Sequence, residues 1–175
     1  MLKKILIVLV VVVIGVVGFA STKPDTFEVH RSATMKAPAA KVFGLISDFH
    51  NWGSWSPWEK LDPAMKKTNS GAPSGKGAIY EWEGNDQVGK GRMEITDMTA
   101  PSKIIIKLDF FKPFEAHNTA EYTIETKGDS CEVTWGMHGP QPLMAKVMCL
   151  FMNMDAMIGK DFERGLGNLK TLAEK

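Results

Sequence analysis

The sequence predicts an α+β domain: a one-sided antiparallel sheet covered by amphipathic helices, behind a separate apolar N-terminal segment. Three observations predict it. Residues 78–137 hold a series of short segments in which apolar and polar residues alternate, separated by turns rich in Gly, Pro, Asn and Asp, as strands with one buried face require. Residues 143–174 lack proline and repeat apolar side chains every three or four positions, the period of a helix with one buried stripe. Residues 5–20 carry no charge.

Taken in order, Met1-Leu2-Lys3-Lys4 precedes the uncharged run Ile5 to Ala20. As a helix that run spans about 24 Å against a hydrocarbon core of about 30 Å. Leu2 and local thinning make up the difference. Lys3 and Lys4 place this end in the cytoplasm, so the remaining chain lies on the extracytoplasmic side. Gly18 and Ala20 also suit a signal-peptidase site, and cleavage near Ala20 would leave a secreted or periplasmic domain. The apolar run ends right at that cut and is long for a signal, which favours a retained anchor. Residues 1–26 are therefore read as anchor (or signal peptide) and linker, and residues 27–175 as one domain large enough for a sizeable core.

Phe27 to Lys36 reads as a first strand of open register, because Arg31 shares a face with Phe27, Val29, Ala33 and Met35. Pro38 opens a helix with the stripe Val42, Phe43, Ile46 and Phe49. Trp52, Trp55 and Trp58 follow at a spacing of three, beside Gly53 and Pro57. They form an aromatic wall that is either the rim of an apolar pocket or a plug at one end of the sheet. Leu61 to Gly77 is loop-like, with a weak strand signal near Lys66. Clear strands come next. Tyr80 and Trp82 share an inward face, as do Met93 with Ile95, and Ile104, Ile106, Leu108 with Phe110. The following strand directs Asn118, Ala120 and Tyr122 inward, and the last directs Cys131, Val133, Trp135 and Met137. Gly139 to Pro142 breaks the pattern. Leu143 to Glu174 then predicts one helix of about 45 Å, which Gly159, Gly165 and Gly167 each weaken by up to about 1 kcal/mol.

These residues carry a resemblance. The run Val29 to Pro38, closing a strand with Ala-Pro, leads into Val42-Phe43 on a helix, then Asp48-x-x-x-Trp52, then Gly77-Ala-Ile-Tyr-Glu-Trp82. Together they resemble the SRPBCC (START-like) helix-grip superfamily, in its bacterial polyketide cyclase/dehydrase-like branch. The resemblance implies a curved antiparallel sheet of six to seven strands wrapped around a long C-terminal helix, enclosing an apolar cavity. It implies ligands such as lipids, sterols, polyketides or other aromatic compounds, and in some members cyclisation or dehydration. Fold alone does not carry function.

Composition and motifs narrow the chemistry. Lys+Arg (21) nearly balances Asp+Glu (20) without a basic tract, which argues against a nucleic-acid partner. His30, His50, His117 and His138 are scattered, so no metal site is expected. No nucleophile elbow or phosphate-cradling loop occurs, and no cofactor is expected. Cys131 and Cys149 match no zinc spacing. Export permits a disulfide between them, although two buried free thiols are favoured. Inward polar candidates are Tyr80, Asn118, Tyr122 and Asp155, with Arg31 if its register points in. Asp155 falls on the apolar stripe between Phe151 and Ile158. Buried, its pKa would rise. The favoured alternative is a bond to a backbone group or Lys160 at the stripe's edge.

The resulting expectation is a membrane-tethered domain, anchored through residues 5–20, that binds a small hydrophobic molecule. Cavity lining is expected from Trp55, Trp58, Tyr80, Trp82, Ile106 and Leu108, and further from Asn118, Tyr122, Trp135, Met148, Phe151 and Met152. The methionines of the last helix suit an adaptable apolar wall, or ordinary core filling. The alternative is a cyclase/dehydratase-type enzyme, with Asp155 or Tyr122 as proton carrier and Asn118 orienting the ligand. A third reading is an interaction module whose interior is filled by its own side chains.

Overall fold

The computed structural model describes residues 2–175. Helix α1 (Leu2–Ser21) is followed by strand β1 (Thr26–Met35), helix α2 (Ala39–Ser47) and two short 3-10 turns, Phe49–Ser54 and Trp58–Lys60. Strands β2 (Lys66–Gly71), β3 (Ala78–Glu83), β4 (Lys90–Thr99), β5 (Lys103–Lys112), β6 (Ala116–Lys127) and β7 (Ser130–Pro140) come next. Helices α3 (Leu143–Cys149) and α4 (Met154–Ala173) complete the chain. The seven strands form one antiparallel sheet in the order β1-β7-β6-β5-β4-β3-β2. Only β1 leaves the meander; it returns beside β7, so the sheet stays open between β1 and β2. This is the helix-grip architecture, with seven strands. The faint signal near Lys66 is β2, a fully exposed edge strand. With no buried face it has no apolar alternation to read.

Helix α4 lies on the inner face of the sheet. Phe162, Leu166 and Leu169 are buried there, and Phe162 stacks on Trp135 of β7 at 4.2 Å between ring centres. Two glycines permit the close approach. A Cβ on Gly165 would sit 2.6 Å from the Trp135 ring, and one on Gly159 would sit 2.0 Å from the Arg31 guanidinium. The helical propensity given up at these positions makes room for a ring and a guanidinium.

The structure corrects the single long helix. The chain leaves the helical path at Asn153 (φ −84°, ψ 92°), whose side chain accepts the backbone N–H of Ala156 at 2.9 Å. That is an N-cap, and it separates α3 from α4. The three-and-four spacing runs unbroken through residues 148–158, so periodicity could not register the break.

Arg31 lies on the core face of β1, opposite Trp135. At this edge strand it reaches α4, donating to both carboxylate oxygens of Asp155 at 2.9 and 3.0 Å and to Glu163 at 2.9 Å. The ambiguous register thus resolves inward, with the charge matched by α4.

Helix α1 is exposed over most of its length; Val16 is half-buried and Ala20, near its end, is buried. It is long and apolar enough to cross a membrane, and it packs against α3. The buried Lys146 of α3 donates to Asp25, just beyond α1, at 2.6 Å. Cys131 and Cys149 are both free; Cys131 is buried, whereas Cys149 is only half-buried.

Candidate ligand-binding cavity

The aromatic turn owes its shape to its indoles. Trp52 donates its Nε1–H to the carbonyl of Ile46 at 2.9 Å, and Trp55 donates to Leu45 at 3.3 Å. Both capture orphan carbonyls at the end of α2. Asp48 accepts the N–H of His50 at 2.9 Å and starts the 3-10 turn. The Asn168 amide of α4 donates to the Trp55 carbonyl at 3.0 Å, so the turn is tied to the final helix.

Behind this turn the sheet and the helices enclose a cavity of about 690 Å³. That is ample for a small molecule of several rings, within the usual range of ligand pockets. Trp52, Trp58, Trp82 and Phe110 contribute aromatic wall, and Met144 and Met148 of α3 stand at one side. Both methionines also face solvent, so α3 borders the entrance. Trp82 lies flat over Gly91, where a Cβ would stand 2.3 Å from the indole. Its Nε1–H is bound to the Val88 carbonyl at 2.9 Å.

Of the residues singled out in the sequence, Trp58, Tyr80, Trp82 and Leu108 line this cavity, as do Asn118, Tyr122, Trp135 and Met148. Four do not. Trp55 and Ile106 are fully buried in the surrounding core. Phe151 and Met152 sit on the α3–α4 connection, beside a separate open groove, because the break at Asn153 swings them away. Asp155 is also absent from the cavity. It is more than half exposed in the first turn of α4, and the hydrogen bonds from Arg31 hold its carboxyl below the usual range. Asp155 thus sits paired at the edge of the stripe, as the favoured reading of the sequence has it, but the partner is Arg31 instead of a backbone group or Lys160; the alternative of a buried carboxyl with a raised pKa is overturned.

Trp52 and Glu59 were missed. Trp52 was visible as a member of the tryptophan series, but spacing could not tell which of the three faced inward. Glu59 directly follows Trp58, and its carboxylate is only 6 % exposed. It accepts from Tyr80 Oη on one oxygen and from Lys67 Nζ at 2.5 Å on the other. Burial, reinforced by Glu59, pushes the Tyr80 phenol well above its ordinary value. A charge in a pocket wall is tolerable only when paired and hydrogen-bonded, and this one is both.

Two further polar atoms have no partner. Tyr122 Oη and Trp135 Nε1 are buried and make no hydrogen bond. Their rings face each other across β6 and β7 at 5.0 Å. Burial raises the Tyr122 phenol far above its ordinary value, so it remains a proton donor. Among the described residues, no cluster of His, Cys, Asp or Glu is placed to hold a metal ion.

Comparison with known proteins agrees with this architecture. Residues 26–174 match the family described as polyketide cyclase / dehydrase and lipid transport. The chain belongs to this family. No curated protein matches the sequence. Among solved structures, protein CV1439 from Chromobacterium violaceum superposes with a TM-score of 0.59 at 14% identity, over 87% of this chain and 99% of that one. A Thermobifida fusca protein gives 0.60 at 22% identity, over 82% and 90%. The di-domain ARO/CYC protein BexL from the BE-7585A biosynthetic pathway gives 0.60 at 13% identity. The match spans 88% of this chain but only 52% of BexL, and at such identities it speaks for the polyketide cyclase / dehydrase fold alone.

Proposed function

We propose that this protein binds a small hydrophobic molecule, lipid-like or aromatic, in the cavity behind the tryptophan turn, while α1 anchors it in a membrane with residues 27–175 on the extracytoplasmic side. The observation that carries this reading is the cavity itself: about 690 Å³, walled mainly by aromatic and aliphatic side chains in a family associated with lipid and polyketide ligands. The packing of α3, which borders the entrance, against α1 supports entry from the membrane side. Native mass spectrometry of the full chain, released from lipid nanodiscs, tests the proposal. A co-purifying apolar molecule that Met148→Trp or Leu108→Trp displaces is the expected result. A folded protein with no adduct, and no binding of a panel of apolar fluorophores, would overturn it.

A second reading, that the bound molecule is transformed, is favoured by Glu59 and Tyr80. A carboxylate and a phenol joined by a hydrogen bond, both on the cavity wall, form an acid/base pair. Lys67, partly exposed, connects them to solvent. This pair replaces Asp155, which lies outside the cavity. Under this reading Glu59→Gln abolishes turnover and leaves binding nearly intact.

A further inference from the structure

In the wall of this cavity, two residues carry buried donors without acceptors. Tyr122 Oη and Trp135 Nε1 are enclosed and unbonded, whereas Trp52, Trp55 and Trp82 each place the indole N–H on a backbone carbonyl. Leaving a buried donor unpaired costs about 1–3 kcal/mol. Two of them, on stacked neighbouring rings lining the same hollow, are a conspicuous departure from the general satisfaction of buried polar groups. Both are donors to an incoming group: indole N–H has no accepting capacity, and the phenol holds its proton.

We infer that the ligand carries an accepting oxygen of the carbonyl class, held by Tyr122 Oη and Trp135 Nε1 at the inner wall of the cavity. This rests on the cavity being a ligand site. The ligand is then an oxygenated apolar molecule such as a ketone, quinone or ester, and not a bare hydrocarbon. Neither donor presents surface to the cavity as the rings stand, so the ligand must turn a donor toward the open volume against the stacking of Trp135 on Tyr122 and Phe162. Glu59, the buried carboxylate in the same wall, adds a charge selection. An anionic headgroup drawn inside would share the hollow with it, so a neutral carbonyl fits better than a carboxylate.

The test is a matched pair of tricyclic probes, fluorene and its ketone fluorenone. Each is titrated calorimetrically into the full chain in lipid nanodiscs, with empty nanodiscs as reference. The ketone is expected to bind about 4-fold to 100-fold tighter, from two hydrogen bonds at about 2-fold to 10-fold each. Tyr122→Phe, which removes only the hydroxyl, should cut that ratio by one such factor, and Trp135→Phe by the other. Equal affinities in the wild-type protein, or a preference that survives in both variants, would overturn the inference while leaving the cavity as a ligand site. Binding of neither probe would remove both. If one variant fails to fold, the wild-type ratio and the other variant still decide.

Discussion

The tryptophan turn and the inner wall of the cavity are built from the same side chains but differ in how their polar atoms end. In the turn, Trp52 and Trp55 close their N–H groups onto the last carbonyls of α2. In the inner wall, Trp135 and Tyr122 lie nearby, with ring centres of Trp55 and Trp135 only 5.8 Å apart, yet leave their donors open. Aromatic surface builds core in both places. The hydrogen-bond inventory separates them: the turn's indoles end on backbone carbonyls, and the inner-wall donors end on no protein acceptor. Five substitutions, the last read as a pH dependence, can break or sharpen this contrast.

The largest effect belongs to the structural side. Trp55→Ala removes a fully buried indole and strands the Leu45 carbonyl; the expected loss is about 3–5 kcal/mol, read by urea unfolding of the full chain. An unaffected midpoint would mean that the turn is not core. Next comes Gly165→Val, which drives a side chain into the Trp135 ring and should cost about 1–3 kcal/mol by overpacking. A neutral result would mean that α4 tolerates a looser seat on the sheet. Asn153→Ala removes the cap that separates α3 from α4 and should cost about 0.5–2 kcal/mol. Circular dichroism would show added helix if residues 150–153 then join the two helices. Tyr122→Phe reverses the sign. With no bond to lose, stability of the protein without bound molecule should stay level or rise by up to about 1 kcal/mol. A clear loss would show the hydroxyl to be structurally bonded, which the contrast forbids.

The smallest effect comes from a pair at the edge of the cavity, whose His117 also lines it. On the outer face of the sheet, the buried Asp109 accepts from His117 at 2.7 Å and pairs with Lys107 at 3.0 Å. Burial pushes this carboxyl upward, but the bonds from His117 and Lys107 outweigh it and hold the pKa below the ordinary value. Asp109 in turn raises the pKa of His117 above its ordinary 6.5. The histidine's share of stability is therefore complete below about pH 6.5 and fades as pH climbs through its raised folded value. The carboxylate's share is present above its ordinary 3.8 and is lost as pH falls through its lowered folded value. His117→Gln should flatten the decline above pH 6.5 in thermal unfolding. An unchanged slope would remove the pair from the account.

Much of this fold was legible because buried faces leave periodic marks. The rows Ile104–Phe110 and Asn118–Ile124 announced their strands, and the Ala-Pro strand end with its Val-Phe helix pointed to the family. What periodicity could not carry was any feature without a buried face or any change of direction inside a continuous rhythm. Strand β2 is exposed throughout. The break at Asn153 rests on one side chain folding back to its own backbone, which apolar spacing does not sense. Glu59 stayed hidden for a different reason: its neighbours Lys67 and Tyr80 arrive from β2 and β3, and only tertiary structure brings the three together. The partner of Asp155 was hidden for the complementary reason, since Arg31 comes from the far end of the chain.

The link from α1 to β1 is only residues 22–25, and fully stretched such a segment covers about 14 Å. The salt link from Lys146 to Asp25 shortens that leash further. Under the proposed anchoring of α1 in a bilayer, the domain would hover within about two headgroup layers of the hydrocarbon, unable to swing outward or ferry cargo across a compartment. Its supply and its customers would then be confined to the same sheet of lipid, and its traffic would be lateral.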